Sequence, residues 1–205
     1  MEVLEFKPIR DKKIVVYMSS KENAKYFQNT DNSKLIEFLK KKNIDFITVD
    51  FQVDIKEFRT TPFAQTLNEL DIPYFQLDIP DYAMGYLYQE IIEKQQFLNE
   101  LFEEYENMED KESFKGLSLK NWIDMLGEEI QEKEIFLSLK LRPQWIVKKM
   151  LDLALSYKKD TVIFVHFVQE DICEEICPQV VENLRELNVK VISYNKKHTI
   201  QNIIF

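Results

Sequence analysis

The residues of this sequence best suited to chemistry lie where apolar runs end. His166 stands near the end of one such run and is followed by Glu170 and Asp171, while Asp54 follows an earlier run. A histidine beside carboxylates can carry acid–base chemistry or hold a metal ion. The structural alternative, which we favour from the residues alone, is a core histidine followed by acids that cap the next helix.

The cysteines are a second candidate pair. Cys173 and Cys177 are four residues apart, so both would lie on one face of a helix. Their spacing is neither the C-x-x-C redox motif nor that of a zinc pair with partners elsewhere. Because cysteine is often simply buried, we expect a structural role, and two cysteines fit a reducing compartment.

Composition excludes several classes of site. The three glycines, Gly85, Gly116 and Gly127, do not directly follow a predicted strand, whereas phosphate-binding loops need glycine there for close backbone approach. A net charge of -9 opposes nucleic-acid binding. His198 lies in a polar tail, so no Ser-His-Asp arrangement can be argued.

The chain has no segment suited to a membrane. Residues Met1 to Lys13 are charged and lack the apolar core of a signal peptide, and no apolar run is long enough to span a bilayer. We therefore expect a soluble, cytoplasmic protein with no membrane and no nucleic-acid partner.

Five short apolar runs, rich in Val, Ile, Phe and Tyr, predict buried strands. These runs are Lys13–Met18, Asp45–Phe51, Pro73–Asp78, Thr161–Phe167 and Val189–Tyr194. Helices are predicted between them, at Lys34–Lys42, Pro62–Leu70, Pro143–Tyr157 and Ile172–Leu187. The alternation predicts one α/β domain over residues 1–205, with a Rossmann-like, doubly wound parallel sheet of about five strands.

An antiparallel helical hairpin is predicted as an insertion at residues 83–141. Two apolar stripes with heptad spacing face each other around a polar turn at Glu109–Gly116. The stripes consist of Met84, Leu87, Ile91, Leu98, Leu101, Tyr105 and Met108, and of Leu119, Ile123, Leu126, Ile130 and Leu137.

Each stripe has one lysine, and in an antiparallel register Lys94 faces Lys133. The two lysines could hold an anion, but we favour the reading that they reach nearby acids such as Glu90, Glu129 or Glu134. Three tyrosines at the start of the hairpin are expected to be core residues rather than a stacking platform; they are Tyr82, Tyr86 and Tyr88.

Two segments resemble the D-component of 2-hydroxyacyl-CoA dehydratases and benzoyl-CoA reductases. The segment NELDIPYFQLDIP, which ends at Pro80 and is followed by the two helices, is similar to a strand–helix–helix region of that family. The segment DTVIFVHFVQEDICEEICPQVVENLRELNVKVISYN, starting at Asp160, is similar to its closing β-α-β unit. The resemblance covers roughly residues 45–195.

The resemblance implies an iron–sulfur cluster held by cysteines in the loops after the second and fourth strands. Here Val53 and Glu170 stand where the family has those cysteines, whereas the adjoining Asp54 and Asp171 keep its acidic positions. A cluster needs about four thiolate ligands. We therefore expect no metal ion and no cofactor.

Together these inferences predict a cluster-free relative of the D-component that acts as a binding or partner subunit. Its partner would be a family-like subunit or a second copy of this chain. The ligand is expected at Asp54, His166, Glu170 and Asp171, and no catalytic residue is assigned. The alternative is a small-molecule enzyme, a lyase or oxidoreductase, that uses the strand-end crevice for acid–base or metal-assisted chemistry.

Overall fold

A five-stranded parallel sheet forms the centre of the fold. The computed structural model describes residues 9, 11–19, 33–50, 55–168 and 173–194. The strand order is β3-β2-β4-β1-β5, and every pairing is parallel. The strands are β1 (Lys13–Ser19), β2 (Phe46–Val49), β3 (Tyr74–Gln76), β4 (Thr161–Phe167) and β5 (Lys190–Tyr194). The predicted Rossmann-like α/β fold class is confirmed.

The helices of the described residues alternate with these strands. They are α1 (Ser33–Lys42), α2 (Ile55–Thr60), α3 (Pro62–Glu69), α4 (Asp81–Glu106), α5 (Phe114–Ile135), a π-helical segment (Phe136–Leu141), α6 (Arg142–Ser156) and α7 (Cys173–Glu186). Helix α2 was not predicted, because its six residues are too few to show a helical period in the sequence. The π-helical segment lies within the helical hairpin predicted at 83–141, but its π-helical geometry was not predicted.

Helices cover both faces of the sheet, which explains the uninterrupted apolar strands. On β4, Val162 and Phe164 pack in one apolar cluster with residues of α6 and α7. The alternate residues Val165 and Phe167 pack in a second cluster with residues of α1, α2 and α3. Because both sides of each central strand are buried, an alternation of polar and apolar residues is absent.

Three helix-to-strand connections use the same backbone turn. Asn43, Asp71 and Asn188 each have a positive φ, of 50°, 55° and 62°, one or two residues after α1, α3 and α7. The residue after each donates its backbone N–H to a carbonyl five positions earlier, as in a Schellman cap. Asn and Asp tolerate this left-handed conformation, so they serve here in place of glycine.

The chain divides into two compact units. One contains the described residues up to Asp78 and from Arg142 onward, and the other is Ile79–Leu141. We call the second the helical unit. Helices α4 and α5 and the π-helical segment of this unit share an apolar cluster of Ile91, Leu98, Leu101, Leu119, Ile123, Ile130 and Leu137.

Ion pairs link α4 to α5. The pairs are Glu90–Lys133, Lys94–Glu129 and Glu104–Lys115, so the partner's number falls as the α4 number rises and the two helices run antiparallel. Lys94 also lies 3.6 Å from Glu90, so Lys94 and Lys133, which we call the seam lysines, share the Glu90 carboxylate. The predicted pairing of the lysines with nearby acids is confirmed.

Two expectations for the helical unit were wrong. Tyr82 and Tyr86 are 83% and 79% exposed rather than part of a core, because they lie outside the stripe that faces α5. The connection is Asn107–Ser113 and not the predicted Glu109–Gly116, because α4 already ends at Glu106 and α5 begins at Phe114 with Ser113 as its side-chain cap. Among the described helices, none combines the length and apolar content needed to cross a membrane.

Candidate functional site

The candidate site lies at two neighbouring strands, β2 and β4, whose chain continuations diverge. The chain after β2 forms α2 and α3, whose Phe58 and Phe63 pack on one face of the sheet. After β4 it forms α7, whose Ile176 and Val180 pack on the other face. Adjacent strands whose continuations leave to opposite faces define a topological switch point, where parallel sheets commonly bind ligands beyond their carboxyl ends.

A buried histidine occupies this switch point. His166, the last residue but one of β4, pairs in register with Thr48 of β2 and is 0% exposed. Its Nδ1 lies 3.0 Å from the Thr48 hydroxyl oxygen. That hydroxyl also lies 3.4 Å from the Val165 carbonyl oxygen. Which of the two ring nitrogens carries the proton depends on whether the threonine hydroxyl donates to that carbonyl or to Nδ1.

The other ring nitrogen faces a carboxylate. His166 Nε2 lies 3.7 Å from Asp50 Oδ2, and both side chains are almost completely buried. Within the described part of the chain, Nε2 makes no hydrogen bond. A buried nitrogen that makes no hydrogen bond is costly, so it favours either a proton shared with Asp50 or a ligand group that bonds to it.

An arginine and a carboxylate complete the polar cluster. Arg142, the first residue of α6, donates from Nε and Nη2 to the two carboxylate oxygens of Asp78, at 2.9 and 2.8 Å. Nη2 also lies 3.3 Å from the Asp50 carbonyl oxygen. The guanidinium thus joins the residues that follow β2 and β3, with the fixed fork geometry that suits carboxylates.

One nitrogen of this guanidinium remains available. The hydrogen bonds of Arg142 use Nε and Nη2, and among the described residues Nη1 has none. The Arg142 side chain is 14% exposed, whereas that of Asp78 is 2% exposed. Nη1 can therefore donate to a carboxylate, phosphate or carbonyl oxygen of a bound molecule.

Of the predicted site residues, the structure describes His166 alone. Asp54, Glu170 and Asp171 lie outside the described residues. Sequence reasoning missed the remaining four members of the cluster, which are Thr48, Asp50, Asp78 and Arg142. A usable signal was present for two of them, because Asp50 and Asp78 are acids placed at the ends of apolar runs.

The cysteines do not join this cluster in the described structure. Cys177 of α7 is partly buried and packs against the apolar cluster of α6 and α7, as the structural interpretation predicts. The Cys173 side chain lies outside the described part of the structure. Within the described ranges, no three His, Cys, Asp or Glu side chains are grouped so that they could hold a metal ion.

Comparison with protein-family models, curated proteins and solved structures finds no match to this chain. The resemblance to the dehydratase D-component therefore depends only on the two sequence segments quoted above.

Proposed function

We propose that this chain binds a small polar molecule at the carboxyl ends of β2 and β4, as a cluster-free, D-component-like binding or partner subunit. The observation that carries the proposal is the buried His166 Nε2, which makes no hydrogen bond among the described residues at the switch point of the sheet. A core histidine with a purely structural role would have both ring nitrogens bonded.

The polar cluster suggests what the ligand offers. His166 Nε2 can accept a hydrogen bond or donate one, according to the tautomer, so the ligand supplies a polar group such as a hydroxyl or amide there. Arg142 Nη1 is a donor, so the ligand supplies an anionic or carbonyl oxygen. Arg142 is already neutralised by Asp78, and Asp50 adds a second carboxylate, which argues against a multiply charged anion such as a phosphate ester.

The absence of cluster-ligating residues supports the cluster-free part of the proposal. Val53 and Glu170 occupy the positions where the resembling family has cysteines, and Cys177 packs among apolar side chains of α7. Anaerobic reconstitution with iron and sulfide, followed by metal and sulfide analysis, tests this directly. Stoichiometric iron and sulfide with a charge-transfer absorption band would refute it.

The partner proposed from the resemblance is a family-like subunit or a second copy of the chain. Sedimentation of the purified chain, alone and with candidate subunits, distinguishes the two. A chain that sediments as a monomer under every condition would contradict the partner role while leaving the ligand site untouched.

The ligand site is tested by screening amides, carboxylates, acyl thioesters and phosphates for thermal stabilisation of the full chain. We then compare the binding constant of the best ligand among His166→Gln, Asp54→Ala and Asp171→Ala, with Glu69→Ala as the matched control at an exposed acid of α3. If His166, Asp54 and Asp171 contact the ligand, their three variants should lose affinity for it, while the Glu69→Ala control should bind the ligand as tightly as the wild type. If Asp54 and Asp171 only cap helices, their variants lose about 1 kcal/mol of stability and keep affinity.

An acid–base enzyme is the second candidate, favoured by the 3.7 Å approach of His166 Nε2 to Asp50 Oδ2. A proton held between these groups could be passed to a bound substrate. Following the ligand by NMR during long incubation decides between binding and turnover, because a binding protein leaves the ligand chemically unchanged.

A further inference from the structure

The negative charge of the chain is concentrated in the helical unit. Residues 79–141 contain 15 Asp and Glu against 6 Lys and Arg, a net charge of -9. The remaining residues contain 21 of each kind and are neutral. The formal net charge of the whole protein therefore equals that of the helical unit, which creates a strong local field rather than a diffuse one.

An exposed apolar patch lies within this acidic unit. Phe97 of α4 and Trp122 of α5 contact each other edge to face, with ring centroids 5.8 Å apart. Met125 stands three residues after Trp122, on the same side of α5. The three side chains are 41%, 56% and 59% exposed, and none belongs to the apolar cluster between the helices. We call them the Trp122 patch.

Acidic residues border the patch. Glu93 and Glu100 lie one helical turn to either side of Phe97 on α4, and Glu129 lies one turn after Met125 on α5. Lys94, one turn before Phe97 on α4, is held by ion pairs with Glu90 and Glu129. The patch thus has an apolar centre and an acidic rim, an arrangement found in protein interfaces that rely on a central aromatic anchor.

We propose that the Trp122 patch docks a protein partner whose contact segment presents apolar side chains flanked by Lys and Arg. The charge distribution favours such a basic partner over the other molecules that could bind the patch. A second copy of the helical unit would bring two surfaces of charge -9 together, and nucleic acid or an anionic membrane would be repelled as well. The proposal deepens the partner role proposed above by naming the partner's chemistry, and it does not depend on the ligand site.

The test uses the full chain as bait for a displayed library of random peptides. We expect the enriched peptides to combine an aromatic or aliphatic anchor with several Lys or Arg. For a synthesised peptide, Trp122→Ala should weaken Kd about tenfold or more, because it removes the central anchor. Phe114→Ala is the control, since Phe114 is an 89% exposed aromatic of α5 outside the patch. Glu100→Lys should weaken peptide binding at low salt because it removes an acidic residue of the rim, and the effect should be much smaller at high salt, where charges are screened.

Four outcomes would overturn the proposal. They are enrichment of no peptide, enrichment of peptides without basic residues, peptide binding that is insensitive to Trp122→Ala, and a dimer of the chain that Trp122→Ala dissociates. The last would assign the patch to a second copy. Failure here is distinguishable from failure of the ligand site, because Trp122→Ala should leave small-molecule affinity unchanged and His166→Gln should leave peptide affinity unchanged.

Discussion

Arg142 and Asp78, which are 64 positions apart in the chain, form a bidentate ion pair in which Nε and Nη2 of the arginine lie 2.9 and 2.8 Å from the two carboxylate oxygens. In the chain, Asp78 directly precedes the helical unit and Arg142 directly follows it, and both belong to the unit that contains the sheet. The pair therefore fixes where the chain leaves the sheet after β3 and where it returns at α6.

Replacing Arg142 by alanine is expected to destabilise the protein by about 3–5 kcal/mol, because it leaves the 2% exposed Asp78 carboxylate without its guanidinium. Arg142→Lys keeps the charge but loses the fork, so it should cost less. Urea unfolding of both variants measures the effect. A loss below about 1 kcal/mol for Arg142→Ala, as for an exposed ion pair, would show that the pair does not hold this part of the fold.

The interaction of Thr48 with His166 gives a second prediction. Thr48→Val preserves shape but removes the oxygen that the buried Nδ1 bonds at 3.0 Å, so we expect a loss of about 1–3 kcal/mol of unfolding free energy. Thr66→Val is the matched control, since the Thr66 hydroxyl donates to the Pro62 carbonyl in its own helix and the loss of this local bond should matter little. Equal effects of the two changes on chemical denaturation would contradict a special role for the pair.

The strands and most helices could be predicted because their signals are local. The predicted bounds of β4 agree with the structure, since the run TVIFVHF is mostly apolar and rich in β-branched and aromatic residues, and it starts directly after the charged Lys158–Asp160. The pairing of Arg142 with Asp78 could not be predicted, because it depends on which strands become neighbours and no local pattern encodes the order β3-β2-β4-β1-β5. His166 was selected from its position near a strand end, but the reason it matters, its contact with Thr48 across the sheet, appears only in the structure.

The seam lysines give a third prediction. Lys94 and Lys133 interrupt the apolar stripes of α4 and α5 and are 29% and 27% exposed. Replacing both by leucine adds apolar packing, while Glu90 and Glu129 are more than half exposed and remain hydrated. We expect Tm to rise by about 2–4 °C in thermal unfolding. An unchanged or lower Tm would mean that the shared ion pairs contribute more than the leucines can replace.

The acid dependence of the helical unit follows from Glu90. Its pKa is lowered from the usual 4.5, first by the hydrogen bond from Lys133 and then by the charges of Lys133 and Lys94. A carboxylate whose folded pKa lies below its unfolded pKa stabilises the fold above the unfolded value, and this contribution is lost as pH falls through the folded pKa. Stability should therefore fall on acidification below pH 4.5. The Glu90→Gln variant should lose less stability than the wild type over that range, because glutamine does not titrate.

Circular dichroism at the helical band during thermal unfolding, repeated from neutral to acid pH and at high salt, measures the difference. Parallel pH curves for the two proteins would show that Glu90 does not carry the dependence, and an effect that survives high salt would rule out an exposed ion pair as its cause.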